Sequence, residues 1–282
     1  MNKPVEIPLQ VAHRQIEVHG AEGPLEARVY SHGANRKKAD RLMVYFHGGG
    51  FVGGDLDEDD AFLCRLVQAL PEYVLLSSHY TLAGEKPFPA AIEDAHAVLL
   101  WAKKNKARIG WSGKTLVVAG IEAGANLAAV CALISRDRGA PKLAGQVLIM
   151  PMLDPGLSTC SMREVAAGDE TLEVANSCAA SYRGYLPNAA DRSHPYASPL
   201  QSSRLRNLPP ALILSVEDDP LRDEAEQYGA RLTSSGVSTT MKRLEAESIV
   251  DAAARSECAC EAAVLTEISR FLATLDGPLT AS

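Results

Sequence analysis

Short apolar runs alternate with longer amphipathic stretches along the chain. RLMVYFH (41–47), EYVLLSS (72–78), TLVVAG (115–120), QVLIMP (146–151), ALILSV (211–216) and TTMKRL (239–244) are rich in β-branched and aliphatic residues, and each is followed by a loop or a helical pattern. That rhythm predicts right-handed βαβ units and a mostly parallel sheet. Ahead of it, RQIEVHG (14–20) and LEARVYS (25–31) flank Ala21-Glu22-Gly23-Pro24 and predict an antiparallel hairpin on the sheet edge. Helical periodicity places helices near 59–70, 88–106, 123–138, 221–235 and 254–275. In the last of these Ala262, Leu265, Ile268, Phe271 and Leu272 share one face, so its Cys258-Ala259-Cys260 reads as packing.

Between QVLIMP and ALILSV lie about sixty residues, far more than a strand connection needs. The segment from roughly 155 to 200 predicts an insertion of one or two helices with an extended, proline-marked return, placed to roof a crevice at the strand ends. The 282 residues otherwise fit a single α/β domain, 1–282, without repeats or a linker.

Charge and composition narrow the function. A net charge of −7 disfavours nucleic acid or an anionic membrane as partner, and the basic cluster Arg36-Lys37-Lys38 reads as a solvated loop. The absence of a membrane-length apolar run and of a secretory leader pattern predicts no membrane insertion and a cytoplasmic location. Six cysteines without a CxxC pair suggest neither a disulfide framework nor zinc, so no metal or cofactor is expected.

Three stretches carry candidate chemistry. In YFHGGGFVGG (45–54), directly after a strand, Gly48, Gly49 and Gly50 following His47 can aim bare N–H groups into the crevice, as an oxyanion site requires. In LVVAGIEAGANLAAV (116–130), Gly120 and Gly124 flank Glu122 between a strand and a helix, the layout of a nucleophile elbow, with Ala123 supplying the next N–H. In SVEDDPLRDE (215–224), Asp218 and Asp219 precede a helix, where acidic residues ordinarily cap.

Together with ARVYSHG, YTLAGEKPFPAAIEDA and PLQSSRLRNLPPALI, these pieces resemble, in order and wording, the hormone-sensitive-lipase-like carboxylesterases, α/β hydrolases with an HGGG loop. The resemblance runs from about residue 13 to the C-terminus. It implies an α/β-hydrolase fold with an eight-stranded, mostly parallel sheet, a cap, and ester hydrolysis by a serine, a histidine and an aspartate. It also implies that His47 orients the glycine loop, and it allows a homodimer through the edge strand or the final helix.

The chain departs from that pattern at the chemistry. The family's GDSAGGN becomes Gly120-Ile121-Glu122-Ala123-Gly124-Ala125-Asn126, so a carboxylate replaces the nucleophilic hydroxyl. Asp219 matches the triad acid. The histidine position falls on Ile249, and no histidine follows His194. Without imidazole the nucleophile has no proton acceptor and the leaving group no donor. The N-terminal region is also too short for the family's usual cap helices, which predicts a more open crevice.

Several readings of Glu122 follow. It curls into its own oxyanion hole at a helix N-terminus, plugging a site that has become a binding crevice for a small apolar ligand or a partner. Plant gibberellin receptors, which share the scaffold and also lack the histidine, offer the precedent. Alternatively it is the general acid or base of a lyase, isomerase or cyclase. As a covalent nucleophile, like the aspartate of haloalkane dehalogenases and epoxide hydrolases, it would still need a histidine to activate water. Residual hydrolysis through the oxyanion hole alone is the remaining alternative. His79 and His194 lie away from the triad base position and read as structural. Asp219, without histidine, needs Arg222 or a backbone N–H as partner.

Overall fold

The computed structural model describes residues 11–33, 38–165, 170–245 and 261–275. Eight strands form one sheet: β1 (Val11–His19), β2 (Pro24–His32), β3 (Ala39–Phe46), β4 (Tyr73–Ser78), β5 (Trp111–Ile121), β6 (Gly145–Ile149), β7 (Ala211–Val216) and β8 (Thr239–Leu244). Their order is β1-β2-β4-β3-β5-β6-β7-β8. β1 and β2 form the expected hairpin, β2 runs antiparallel to β4, and all later pairings are parallel.

Side-chain alternation divides the core into two layers, as a period of two requires. Leu42, Val44, Phe46, Leu116, Val118, Leu148 and Ile213 face one layer with α2 (Ala90–Lys104), α4 (Ala123–Arg138) and α7 (Arg222–Ser234). Met43, Tyr45, Val117, Ala119, Ile121, Ile149, Leu212 and Leu214 face the other, against α1 (Asp60–Ala69) and α8 (Glu261–Thr274). Helix α4 is buried on every side from Ala123 to Ser135, consistent with its run of small residues between sheet and neighbouring helices.

Strand β5 starts four residues earlier than its apolar run. Trp111 is buried and pairs with Ala39 across a register shift, so tertiary packing extends a strand through the glycine-containing WSGKT. The helix read over 88–106 resolves into α2 and a separate turn, α3 (Lys106–Ile109), which ends on Gly110 in the left-handed region. Residues 254–260 of the last predicted helix lie outside the described residues. The insertion contains α5 (Cys160–Arg163) and α6 (Glu170–Tyr185), and its return is two short 3₁₀ turns, 189–193 and 199–201, instead of an extended segment.

Candidate functional site

Register brings the candidate pieces together at the carboxyl edge of the sheet. Phe46 at the end of β3 pairs with Gly120 of β5, and Ile121 pairs with Ile149 of β6. The glycine loop and the elbow therefore leave adjacent strands side by side. They cross so closely that a Cβ on Gly124 would lie 2.0 Å from the Phe46 carbonyl oxygen, and one on Gly120 would lie 2.3 Å from the Gly124 backbone. Glycine is obligatory at both positions.

At the tip, Glu122 holds φ +50° and ψ −112°, a conformation costing a non-glycine residue about 1–3 kcal/mol. Its backbone is fixed from three sides: its N–H donates to Ile149 O at 3.0 Å, and its carbonyl accepts from Asn126 and Met152 N–H, each at 3.1 Å. Its side chain turns back over the glycine loop, where Oε2 accepts the Gly49 N–H at 3.3 Å. The same oxygen would lie 3.3 Å from a Cβ on Gly48, so that glycine leaves the carboxylate room. Ala123, buried, opens α4 directly behind it.

The loop is clamped on both sides. Gly49 and Gly50 have φ of +90° and +62°, and the Gly49 carbonyl accepts from Val52 and Gly53 N–H. The cap helix α6 lies on the loop: a Cβ on Gly50 would meet Ser181 Oγ at 2.1 Å, and Phe51 stacks on Tyr185 at 3.8 Å. The glycine loop is therefore covered on this side by the insertion helix α6. Below the loop, Tyr80 stacks on His47 at 4.4 Å, and its hydroxyl donates to the His47 and Gly48 carbonyls.

The His47 tautomer follows from its partners. Nδ1 lies 2.9 Å from the Gly48 carbonyl, which can only accept, so Nδ1 carries the hydrogen. Nε2 then accepts from His79 Nδ1 at 2.9 Å. Burial pushes His47 down to about 4 and lowers His79 as well, so both rings are neutral supports of the loop at pH 7. His79 faces an outer cleft with Glu22, Glu26, Glu85 and Lys86. His194 is exposed on the cap, between Phe88 and Tyr196.

Asp219 is 1% exposed, and its Oδ1 accepts the Leu221 N–H at 2.9 Å, so a backbone donor does serve it. The Arg222 guanidinium, the other partner expected for it, donates to Asp223 and to the Glu217 carbonyl. Ile249 lies outside the described residues.

Set against known proteins, residues 43–250 match the profile of a family with the α/β hydrolase fold. The esterase LipI of Mycobacterium tuberculosis is 36% identical over 240 residues, 82% of this chain and 74% of its own. An arylesterase of Saccharolobus solfataricus is 32% identical over 231 residues, with the same coverage of 82% and 74%. The chain is a hormone-sensitive-lipase-like carboxylesterase family member. Among solved structures, the esterase of Pyrobaculum calidifontis superposes with a TM-score of 0.84 at 34% identity, covering 97% of this chain and 87% of that one. EstE1, a thermostable carboxylesterase cloned from a metagenomic library, gives a TM-score of 0.85 at 31% identity, covering 97% and 92%.

In this member of the carboxylesterase family, a further carboxyl group stands at the same sheet edge. Asp59, just before α1, is 2% exposed, and among the described residues neither of its oxygens meets hydrogen-bond geometry with a partner. The Tyr45 hydroxyl sits beside it, outside strict hydrogen-bond geometry but close enough to hold its carboxyl down. Burial, opposed by the Tyr45 hydroxyl and reinforced by the charges of Glu58, Glu122 and Asp55, pushes Asp59 up to about 7. Sequence reasoning passes over it because Asp57-Glu58-Asp59-Asp60 has the composition of a solvated helix start. Glu224 is likewise missed: 1% exposed in α7, it accepts the Leu153 N–H at 2.7 Å and ties that helix to the base of the insertion.

For metals, one group among the described residues brings three donors within 4.8 Å of one another: His13, Asp60 and Cys64, on β1 and α1. Asp60 there already accepts from Arg28 and the Tyr30 hydroxyl, at 2.6 and 2.8 Å. No described helix is long and apolar enough to cross a membrane.

Proposed function

We propose that this chain is a carboxylesterase-family scaffold that has lost triad hydrolysis and keeps its crevice to bind a small, largely apolar ligand. The observation that carries this reading is Glu122 Oε2 on the Gly49 N–H. A substrate's tetrahedral oxyanion needs those loop N–H groups, and here the chain's own carboxylate accepts one of them. A fixed negative charge at that point also repels a developing oxyanion.

The rest of the triad offers no remedy. Acyl transfer needs a group to take the nucleophile's proton and deliver it to the leaving group, and no histidine follows His194 in the sequence. His47 and His79 spend their facing nitrogens on the glycine loop and on each other. A general-base role for Glu122 meets a related conflict, since the carboxylate that would take the proton competes with the enolate for the same N–H. Asp219, with its backbone partner, serves in this reading as a structural remnant at the start of α7. The insertion, roughly 155–200, roofs the crevice within a single domain, with α6 as the covering helix and Phe51 and Tyr185 as apolar wall.

Turnover of short-chain p-nitrophenyl esters tests the proposal. The purified chain, treated with a serine-directed inhibitor to silence host esterases, is expected to show none above background. Inhibitor-resistant turnover that disappears in Glu122→Gln would overturn it.

A further inference from the structure

An aspartate just before a helix ordinarily turns its carboxylate onto the first free N–H groups of that helix. Asp59 makes no such cap; its side chain points inward. It borders a cavity of about 10 Å³, the room one water-sized group needs, shared with Phe62, Ile121, Ile149, Met150, Val264 and Glu261. A carboxyl group buried with both oxygens unpartnered against apolar walls is costly. It persists most economically where a ligand completes it.

The charges around the cavity say which ligand. From the loop before α1, Asp55 and Glu58 face Asp59; from the elbow, Glu122 does; from β3, Tyr45 brings a neutral hydroxyl. From α8, Glu261 lines the cavity, and Arg65 of α1 is committed to Glu261 in a two-pronged ion pair. The field at the cavity is negative, and among the described residues that line it none is cationic.

We propose that this cavity is a subsite for the head of a primary ammonium ligand. An –NH₃⁺ group matches a water in size and carries only donors, three of them. Asp59, which lines the cavity, offers two acceptor oxygens. Ile121, Ile149 and Met150 take the first methylenes of the alkyl stem, on the side where Ile121 adjoins Glu122 and the crevice. A quaternary ammonium is too large for the cavity, and a carboxylate is repelled. The inference deepens the crevice's ligand-binding reading and rests on it.

Because Asp59 holds a proton up to about pH 7, ammonium binding must expel that proton. Affinity therefore rises with pH, by about tenfold from pH 6 to pH 8 for a group ionising near neutrality, and levels off above.

The test is isothermal titration calorimetry of the full chain with n-hexylammonium. Expected are saturable binding, the tenfold rise between pH 6 and 8, at least a tenfold loss in Asp59→Asn, wild-type affinity in Asp57→Asn, and no binding of hexyltrimethylammonium or hexanoate. Carbon-13 carboxyl NMR should place the Asp59 midpoint near 7 and show it falling when hexylammonium is added. Absence of binding, equal affinity in Asp59→Asn, equal binding of the trimethyl compound, or an Asp59 midpoint near 4 that ignores the amine would each overturn the inference. Ester turnover would overturn the crevice reading and leave these Asp59 measurements standing, so the two failures are distinguishable.

Discussion

Glu122 and Asp59 are two carboxyl groups at one edge of the same sheet, and they are treated in opposite ways. Glu122 sits in a strained turn gripped by Ile149, Asn126 and Met152, and its carboxylate accepts from the glycine loop. Asp59 sits in ordinary backbone, 2% exposed, and among the described residues neither oxygen meets hydrogen-bond geometry with a partner. The elbow thus spends conformational energy on a well-served charge, while the cavity spends desolvation on an unserved one. The difference shows where the site still discriminates. A buried carboxyl group raised toward neutrality responds to pH and to cations.

The harshest way to break the comparison is to pry apart the crossing that holds the elbow. Gly124→Val places side-chain atoms where the Phe46 and His47 carbonyls stand, at 2.0 and 2.4 Å from the first added carbon. It is expected to cost more than about 4 kcal/mol in urea unfolding, or to prevent folding.

A comparably large effect belongs to Asp59 and depends on pH. Its carboxyl is raised from 3.8 to about 7, so the folded state binds its proton more tightly than the unfolded state does. The stability tied to that proton is fully present below about pH 4, declines as pH rises, and is gone above about 7, a span of about 4 kcal/mol. Asp59→Asn removes this titration. The stability difference between variant and wild type should therefore grow in the variant's favour from pH 4 to 7 and then stay flat. A constant difference across that range would show that Asp59 ionises normally.

Glu122→Gln sharpens the contrast with a smaller change. It loses a charge-assisted acceptor on Gly49 and gains relief from the repulsion with Asp59, for a net effect of about 1 kcal/mol at most. Its more telling readout is the Asp59 midpoint by NMR, which should fall once the neighbouring charge is gone.

Much of this was legible in the sequence for identifiable reasons. Strands β3 to β8 are parallel and mostly buried, so their apolar runs stand out, and the glycines of the loop and the elbow mark backbone crossings that no other residue permits. The start of β5 was hidden because packing of Trp111 extends a strand through a stretch that reads as a turn. The proline-marked return reads as extended, yet proline opens a 3₁₀ turn as readily as an extended chain, and Pro199 opens one here. Asp59 was invisible for a different reason. Four consecutive acidic residues carry no periodicity to single out the one that turns inward, and only the placement of α1 against β3 and α8 does so.

The most direct test of the central claim is p-nitrophenyl acetate and butyrate turnover by the purified wild-type chain, with Glu122→Gln beside it and a serine-directed inhibitor present. Both proteins are expected to stay at the buffer rate. Inhibitor-resistant hydrolysis by the wild type that vanishes in Glu122→Gln would contradict it and make Glu122 a catalytic residue.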